Sequence, residues 1–246
     1  MRADVAITLD VDWAPDFMID YAAALLVEHG VKATWFITHA SPAVSRLREH
    51  PSLFELGIHP NFLPGSTHGN TFASVLAHCF DLVPDARSVR THALYQSAPL
   101  LRALVNEPRI TTDLSLFLPR MPGIEPVEFR LDGRTLLRVP YLWEDSLEIE
   151  QEVPSFDLQR LLSAGDGLKI LNFHPTHVFL NSITPAPYGQ IKQCAPRLED
   201  VTIDLAARCV VQGHGTQTLF REAIQHLATR HSWRIHDLAT AYRPPT

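Results

Sequence analysis

Apolar and polar positions alternate along the first half of the chain in blocks that predict strands and helices in turn. Short apolar runs are predicted as buried strands, and they cover residues 4–10, 33–38, 57–59 and 88–91. Stretches of helical periodicity follow these runs, over residues 16–29, 42–49, 70–82 and 97–106. Asp16 and Asn70 are the predicted N-caps of the first and third helices. Strands that alternate with helices in this way form a parallel sheet with helices packed outside it.

The second half of the chain breaks this alternation with a predicted β-hairpin. Residues 128–131 and 134–139 are extended runs, and Asp132-Gly133 between them is a tight-turn signal. Further along, the pattern predicts a buried strand, a loop, an amphipathic helix and a last strand, over residues 168–173, 181–200, 216–231 and 233–235.

Length and composition describe an ordinary globular protein. The 246 residues are 46% hydrophobic and 20% charged, which predicts one domain over residues 1–246 with a sizeable core. The net charge of −6 leaves no basic stripe, so nucleic acid and anionic membranes are not expected partners.

Targeting signals and cysteine clusters are not evident in the sequence. The amino terminus enters the first strand without the apolar region of a secretory signal, and no stretch approaches the roughly 20 apolar residues of a membrane span. Cys79, Cys194 and Cys209 have no close pair spacing, so neither a disulfide framework nor a cysteine zinc cluster is indicated. These features favour a cytoplasmic protein.

Two carboxylates end the first predicted strand. Asp10 and Asp12 are two residues apart, and the pleat of a strand places such residues on the same side. Like charges held that close repel, so the pair needs a proton, a cationic partner or a metal ion. His59 and His68, in a loop rich in Pro and Gly, are candidate ligands, because mixed His/Asp ligation is usual in hydrolytic divalent sites. Thirteen histidines occur in the chain, so a surface position for either one is the plainer alternative.

Polar residues also mark the ends of several other predicted strands. The residues at or just beyond such ends are Asp10, Asp12, His59, Arg90 and His174. Active sites of parallel barrels are built at the C-terminal ends of the strands. The pattern therefore indicates one site assembled from several strands. Unrelated polar groups on an α/β barrel remain the alternative.

The order of these residues resembles the polysaccharide deacetylase superfamily, also called the NodB-homology or carbohydrate esterase family 4 fold. The resemblance extends from Asp10 to about residue 240, and the long spacing after His59 is similar to a divergent branch associated with surface-polysaccharide genes. It implies an α/β fold with a single-domain distorted (β/α) barrel of about seven parallel strands and an inserted β-hairpin.

By this resemblance, Asp10 is the general base and Asp12 a metal ligand. The family's second motif has two histidine ligands, usually four residues apart. His59 matches the first, but Leu63 stands at the second position, and His68 follows nine residues after His59. His68 is either the third metal ligand, brought back by a folded loop, or a solvated loop histidine.

The remaining motifs supply Arg90, His92, Tyr141, Trp143 and His174. The resemblance implies that Arg90 pairs with the catalytic acid; the alternative is a surface arginine. His92 stands where a proline is usual and is either an extra catalytic or substrate-binding group or a packed residue. Tyr141 and Trp143 match a motif that lines the substrate groove, although Trp143 fits a core aromatic almost equally well. His174 corresponds to the histidine that protonates the leaving amine.

The implied function is that of a metal-dependent hydrolase that removes an N-acyl group, most simply N-acetyl, from a sugar or glycan precursor. One divalent metal is expected, zinc first, with cobalt, nickel or manganese as alternatives. The expected partner is a small-molecule or glycan substrate, in carbohydrate metabolism such as lipopolysaccharide biosynthesis.

Two alternatives to this function stay open. The departures at Leu63 and His92 also fit a catalytically silent member that binds a glycan or acts as a scaffold. The same site could instead hydrolyse a formamide or a non-sugar C–N bond. A serine-hydrolase elbow, a Walker phosphate loop and a dinucleotide fingerprint do not occur in the sequence.

Overall fold

A single nine-stranded sheet organises the computed structural model, which describes residues 4–163 and 165–242. Its strands are β1 Val5–Asp10, β2 Ala33–Ile37, β3 Phe54–Ile58, β4 Ser88–Val89, β5 Thr112–Asp113, β6 Val127–Leu131, β7 Arg134–Arg138, β8 Trp143–Glu144 and β9 Lys169–Phe173. The order across the sheet is β6-β7-β5-β4-β3-β2-β1-β9-β8. Neighbouring strands run parallel except for the β6-β7 hairpin.

Backbone hydrogen bonds close the sheet into a distorted barrel. Residues 139–142, between β7 and β8, lie between the segment after β5 and strand β9. The bonds run from Tyr141 N–H to Leu116 O at 3.0 Å and from Leu142 N–H to Ile170 O at 3.2 Å. With β7 and β8 taken as one interrupted strand, seven parallel strands surround the core. The predicted barrel and its inserted hairpin are confirmed.

The hairpin turn has the geometry that its sequence predicts. Asp132 and Gly133 have φ values of 50° and 77°, and β6 and β7 pair directly on either side of them. Two consecutive residues with positive φ define a type I′ turn, whose twist matches that of the flanking strands. Asp tolerates this conformation and Gly adopts it without strain.

Helices surround the sheet. In the described part of the chain they are α1 Asp16–Glu28, α2 Pro42–Leu47, α3 Phe72–Leu82, α4 Ala98–Asn106, α5 Asp145–Glu148, α6 Leu158–Leu162, α7 Pro175–Leu180, α8 Ala186–Cys194, α9 Ile203–Arg208, α10 Thr216–Ala228 and α11 Ile235–Tyr242. None of the helices in the described ranges is long and apolar enough to cross a membrane.

Four local predictions are wrong. Helix α1 begins at Asp16 itself, so its N-cap is Pro15 rather than Asp16. Helix α3 is capped by Thr71 rather than Asn70, because the Thr71 hydroxyl accepts the Ser74 N–H and the Ser74 hydroxyl accepts the Thr71 N–H, both at 3.1 Å. The predicted last strand is reduced to one bridge between Trp233 and Ala6, and α11 follows it. The predicted loop 181–200 contains α8, whose prolines stand at its first turn, where the missing N–H is tolerated.

Candidate active site

The five strand-end residues meet at one end of the barrel. Asp10 is the last residue of β1, while His59, Arg90 and His174 directly follow β3, β4 and β9. Parallel strands bring their C-terminal ends to the same edge, so neighbouring strands place these side chains together. Asp10, Asp12, His59 and His174 line a common cavity, and Arg90 lies beneath it.

Asp10 is held from two sides inside the barrel. The Arg90 guanidinium donates to Asp10 Oδ1 at 2.9 Å, and the Asn172 amide donates to Oδ2 at 2.8 Å. Arg90 is fully buried, with its guanidinium 4.6 Å from the Phe36 ring centroid and 4.4 Å from that of Tyr141. Burial raises the pKa of Asp10, but the positive charges of Arg90, His59 and His174 together outweigh it, so the net shift is downward. Asp10 is therefore an ionised carboxylate with a fixed orientation.

Asp12, His59 and His92 form the group best suited to hold a metal ion. His59 Nε2 and His92 Nδ1 each lie 3.1 Å from Asp12 Oδ1, and they lie 3.4 Å from each other. Tetrahedral ligands at bond lengths of about 2.0–2.1 Å are separated by roughly 3.3 Å. The three donor atoms therefore have the spacing and the chemistry of a divalent metal site with an open position.

Hydrogen bonds with neighbouring groups set the orientation and the protonation of these donor atoms. His59 Nδ1–H donates to the Arg90 carbonyl oxygen at 2.7 Å, which leaves the Nε2 lone pair directed at the group. Burial raises the pKa of Asp12, but hydrogen bonds from His174, His59 and His92 lower it well below its usual value. Asp12 has a φ of 44°, a left-handed conformation that is uncommon outside glycine and clusters at functional sites.

His174 is oriented by a buried carboxylate, Asp145. The backbone N–H of His174 donates to Asp145 Oδ2 at 2.8 Å, and its Nδ1–H donates to Oδ1 at 2.6 Å. Its Nε2 then faces the cavity, 3.5 Å from Asp12 and 3.9 Å from Asp10. Burial lowers the pKa of His174, but Asp145 and Asp12 outweigh it and raise that pKa well above its usual value. The sequence motifs give no role to Asp145, although its position directly after β8 is visible in the chain.

His68 lies outside the Asp12/His59/His92 group. Its Nε2–H donates to the Thr38 carbonyl oxygen at 2.9 Å, and its Nδ1 accepts the Asn61 N–H at 3.1 Å. Both ring nitrogens are therefore engaged with the backbone, and the ring stacks on His78 at 4.8 Å between centroids. The loop folds back as expected, but it brings His68 against the end of β2, whereas His92, from the segment after β4, completes the group.

The buried His68 predicts a loss of stability in acid. Burial and the neighbouring His78 lower the pKa of His68 to about 4, from 6.5. As the pH falls below 6.5, His68 binds a proton in the unfolded chain but stays unprotonated in the folded chain. The stability is therefore present above that pH and is lost toward pH 4. Between about pH 7.5 and about pH 5, this difference in the protonation of His68 is expected to lower the free energy of unfolding by about 2 kcal/mol.

Urea unfolding at the two pH values measures this cost. His68→Gln is expected to show a pH-dependent loss smaller by that amount than the wild type, whereas His231→Gln, at an exposed position, retains the full loss. Equal losses in wild type and His68→Gln would contradict the assignment.

The two aromatic residues expected in the groove lie beneath it. Trp143 is 1% exposed; its indole N–H donates to Glu148 at 3.1 Å, and its ring packs on Phe173. Tyr141 is fully buried against Arg90. Tyr188, from α8 in the predicted loop 181–200, lines the cavity instead.

An Asp/His/His group that could hold a metal ion therefore lies beside an Asp and a His at the carboxyl ends of barrel strands, the edge where barrel enzymes build their active sites. The chain belongs to the WbmS-like polysaccharide deacetylase family, whose model matches residues 7–192. The superfamily expected from the motifs is thereby confirmed.

One solved structure of similar fold agrees with this membership, and a more distant one shares the fold. A candidate polysaccharide deacetylase involved in O-antigen biosynthesis from Bordetella bronchiseptica is 31% identical, with a TM-score of 0.78, over 92% of this chain and 91% of that one. The CE4 domain of a xylanase from the hindgut metagenome of Trinervitermes trinervoides is 12% identical, with a TM-score of 0.50, over 100% of this chain and 95% of that one. At that identity the likeness shows the fold alone. A comparison with curated proteins gave no match.

Proposed function

We propose that this protein hydrolyses an N-acyl group, N-acetyl in the first instance, on a sugar of a glycan or glycan precursor. The observation that carries the proposal is the convergence of Asp10, His174 and the Asp12/His59/His92 group on one cavity. The family and the relative named for O-antigen biosynthesis support a surface-polysaccharide substrate. A silent scaffold is less well supported, because His92 supplies the donor that is missing at Leu63.

The proposed metal ligands are Asp12, His59 and His92, with zinc as the first candidate and cobalt, nickel or manganese as alternatives. One carboxylate and two imidazoles suit each of these ions. When bound, a divalent cation supplies Lewis-acid polarisation of a carbonyl oxygen and lowers the pKa of a coordinated water.

Asp10 acts as the general base in this proposal. It is ionised, is 4% exposed, and has an oxygen directed into the cavity 4.0 Å from His59 Nε2. Arg90 and Asn172 occupy its other hydrogen-bonding positions, which fixes the direction in which Asp10 accepts a proton from the attacking water.

His174 acts as the general acid. Its raised pKa keeps a proton on Nε2 when Asp10 has none, so the two groups begin in opposite protonation states, as acid and base must. Once a cation offsets the charge of Asp12, Asp145 remains as the carboxylate that holds the proton on His174. His174 donates that proton to the departing nitrogen as the C–N bond breaks.

The remaining cavity wall favours a sugar over a small amide. Tyr188 offers an aromatic ring to the cavity, and Ile149 adds an apolar surface. Glu144 also lines the cavity, and its carboxylate accepts hydrogen bonds from the hydroxyls of Tyr141 and Ser146, which hold it in place as an acceptor. Apolar and acceptor surfaces in one cavity match the two kinds of surface that a sugar ring presents.

Release of the acyl group tests the proposal. The purified chain, loaded with zinc or cobalt, is incubated with an N-acetylated surface glycan, with its N-formylated counterpart and with a simple non-sugar amide, and free acetate or formate is measured. The proposal expects release of the acyl group from the sugar. Full metal loading with no release from any substrate favours the silent member, and release from the non-sugar amide alone favours the other amidohydrolase.

The third ligand is tested by a matched pair of histidine variants. His92→Ala is expected to weaken zinc binding by more than about 100-fold, because loss of a partner outside the ligand set already costs 10- to 100-fold. His68→Ala removes a neighbouring imidazole that both Trp13 and His78 contact, and it is expected to retain zinc. Competition with a chromophoric chelator measures both affinities. Loss of zinc in His68→Ala together with its retention in His92→Ala would identify His68 as the third ligand.

A further inference from the structure

Trp13 contacts both a proposed ligand and a buried histidine. Its ring centroid is 5.2 Å from that of His92, nearly edge-on at 85°, and 5.5 Å from that of His68, at 49°. The indole thus packs directly against the Asp12/His59/His92 group.

His92 lacks the kind of support that His59 has. The second ring nitrogen of His59 donates to the Arg90 carbonyl oxygen, which fixes the ring. In the described part of the chain, the hydrogen-bonding contacts of the His92 ring are all at Nδ1, on the side facing Asp12 and His59. The orientation of the His92 ring therefore depends on packing, and Trp13 and His59 are the rings packed against it.

The backbone conformation at Trp13 is strained. Trp13 has a φ of 55° and follows Asp12, which is also left-handed, and such conformations are outliers for bulky residues. The Trp13 N–H donates to the Thr38 hydroxyl at 3.0 Å, and the Thr38 carbonyl oxygen accepts from His68. Strain of this kind persists where surrounding contacts over-determine it, and it concentrates at functional sites.

We infer that Trp13 is a positioning residue for His92 and thereby sets the metal affinity of the site. The indole holds the His92 ring with Nδ1 toward Asp12. This inference rests on the ligand set of the proposed function. It concerns how firmly that set is held, a property that metal binding reports without any substrate.

Zinc titration of the intact chain tests the inference. Trp13→Ala is expected to weaken zinc binding by about 10- to 100-fold, the range for groups that orient a ligand, whereas Trp13→Phe keeps a flat ring and stays within about threefold of wild type. Trp233→Ala is the matched control, because Trp233 also packs edge-on against a histidine, His231, but outside the cavity. It is expected to bind zinc like the wild type.

Fluorescence gives a second readout that a purely structural role would not move. The chain has four tryptophans, and Trp13 is the one in contact with a proposed ligand. Zinc is expected to change the emission of the wild type and of Trp233→Ala. The change is expected to disappear in Trp13→Phe, although that variant still binds zinc in competition with a chelator.

Three results would overturn the inference. A folded Trp13→Ala variant with wild-type zinc affinity shows that the indole positions nothing. If that variant does not fold, Trp13→Leu replaces it, and equal zinc affinities for the Leu and Phe variants have the same meaning. A wild-type chain that binds none of zinc, cobalt, nickel and manganese overturns the ligand set, and the inference falls with it. Zinc binding that is indifferent to Trp13 leaves the proposed function standing.

Discussion

Asp10→Asn is expected to lower turnover by about 100- to 10,000-fold, the usual contribution of a general base, while zinc stays bound. The amide has nearly the volume of the carboxylate and keeps an oxygen for Arg90, but it cannot take a proton from water. Because Asp10 lies outside the Asp12/His59/His92 group, the metal affinity stays close to that of the wild type. Acyl release at saturating substrate and zinc content measured on the same sample separate the two effects.

The control for this variant is a second buried strand-end carboxylate. Asp113 ends β5, is fully buried and is ion-paired with Arg138 at 2.8 Å, but it does not line the cavity. Asp113→Asn is therefore expected to keep turnover within a few-fold of wild type. An Asp10→Asn enzyme that retains a tenth or more of wild-type turnover would remove Asp10 from the role of base.

Arg90→Met is expected to cost about 3–5 kcal/mol of folding free energy at neutral pH, because removal of one partner leaves the other charge buried and uncompensated. Arg90 is fully buried and donates to Asp10, to the Thr8 hydroxyl at 3.0 Å and to Asn172. Methionine fills much of the space between the rings of Phe36 and Tyr141 but donates no hydrogen bond. Urea unfolding measures the loss.

The pH dependence of this loss identifies its cause. In the wild type the pKa of Asp10 is lowered, so its ionised form stabilises the fold above the unfolded pKa. Without Arg90 the effect of burial prevails and the pKa rises, so stability is expected to fall as the pH rises through the new value. The cost of Arg90→Met is therefore larger at pH 8 than at pH 5, and adding Asp10→Asn recovers part of it. A cost independent of pH and of Asp10 would indicate lost packing alone.

Sequence patterns were sufficient for residues that are tied to strand ends. Asp10, Arg90 and His174 each sit at the end of an apolar run, and parallel strands deliver such ends to a common edge. The order of the runs along the chain therefore predicted which side chains would meet. The type I′ hairpin was equally local, because the Asp132-Gly133 pair defines its turn.

These patterns did not predict the direction in which side chains point. Trp143 and Tyr141 lie in a stretch that is buried on both faces, so alternation of apolar and polar residues does not distinguish the cavity side from the core side. Tyr188 lines the cavity from α8. Periodicity did not predict this helix, because prolines stand at its start.

By itself the sequence determined the parallel barrel strands and the polar residues at their ends, because these depend on local periodicity and on the order of strands. The tertiary structure decided which histidine joins Asp12 and His59. His68 and His92 are both close in space to Trp13, but the loop after β3 directs one imidazole to the Thr38 carbonyl oxygen, and the segment after β4 directs the other to Asp12. Loop paths of this kind are set by backbone hydrogen bonds and positive φ angles between segments distant in sequence, and no spacing along the chain encodes them.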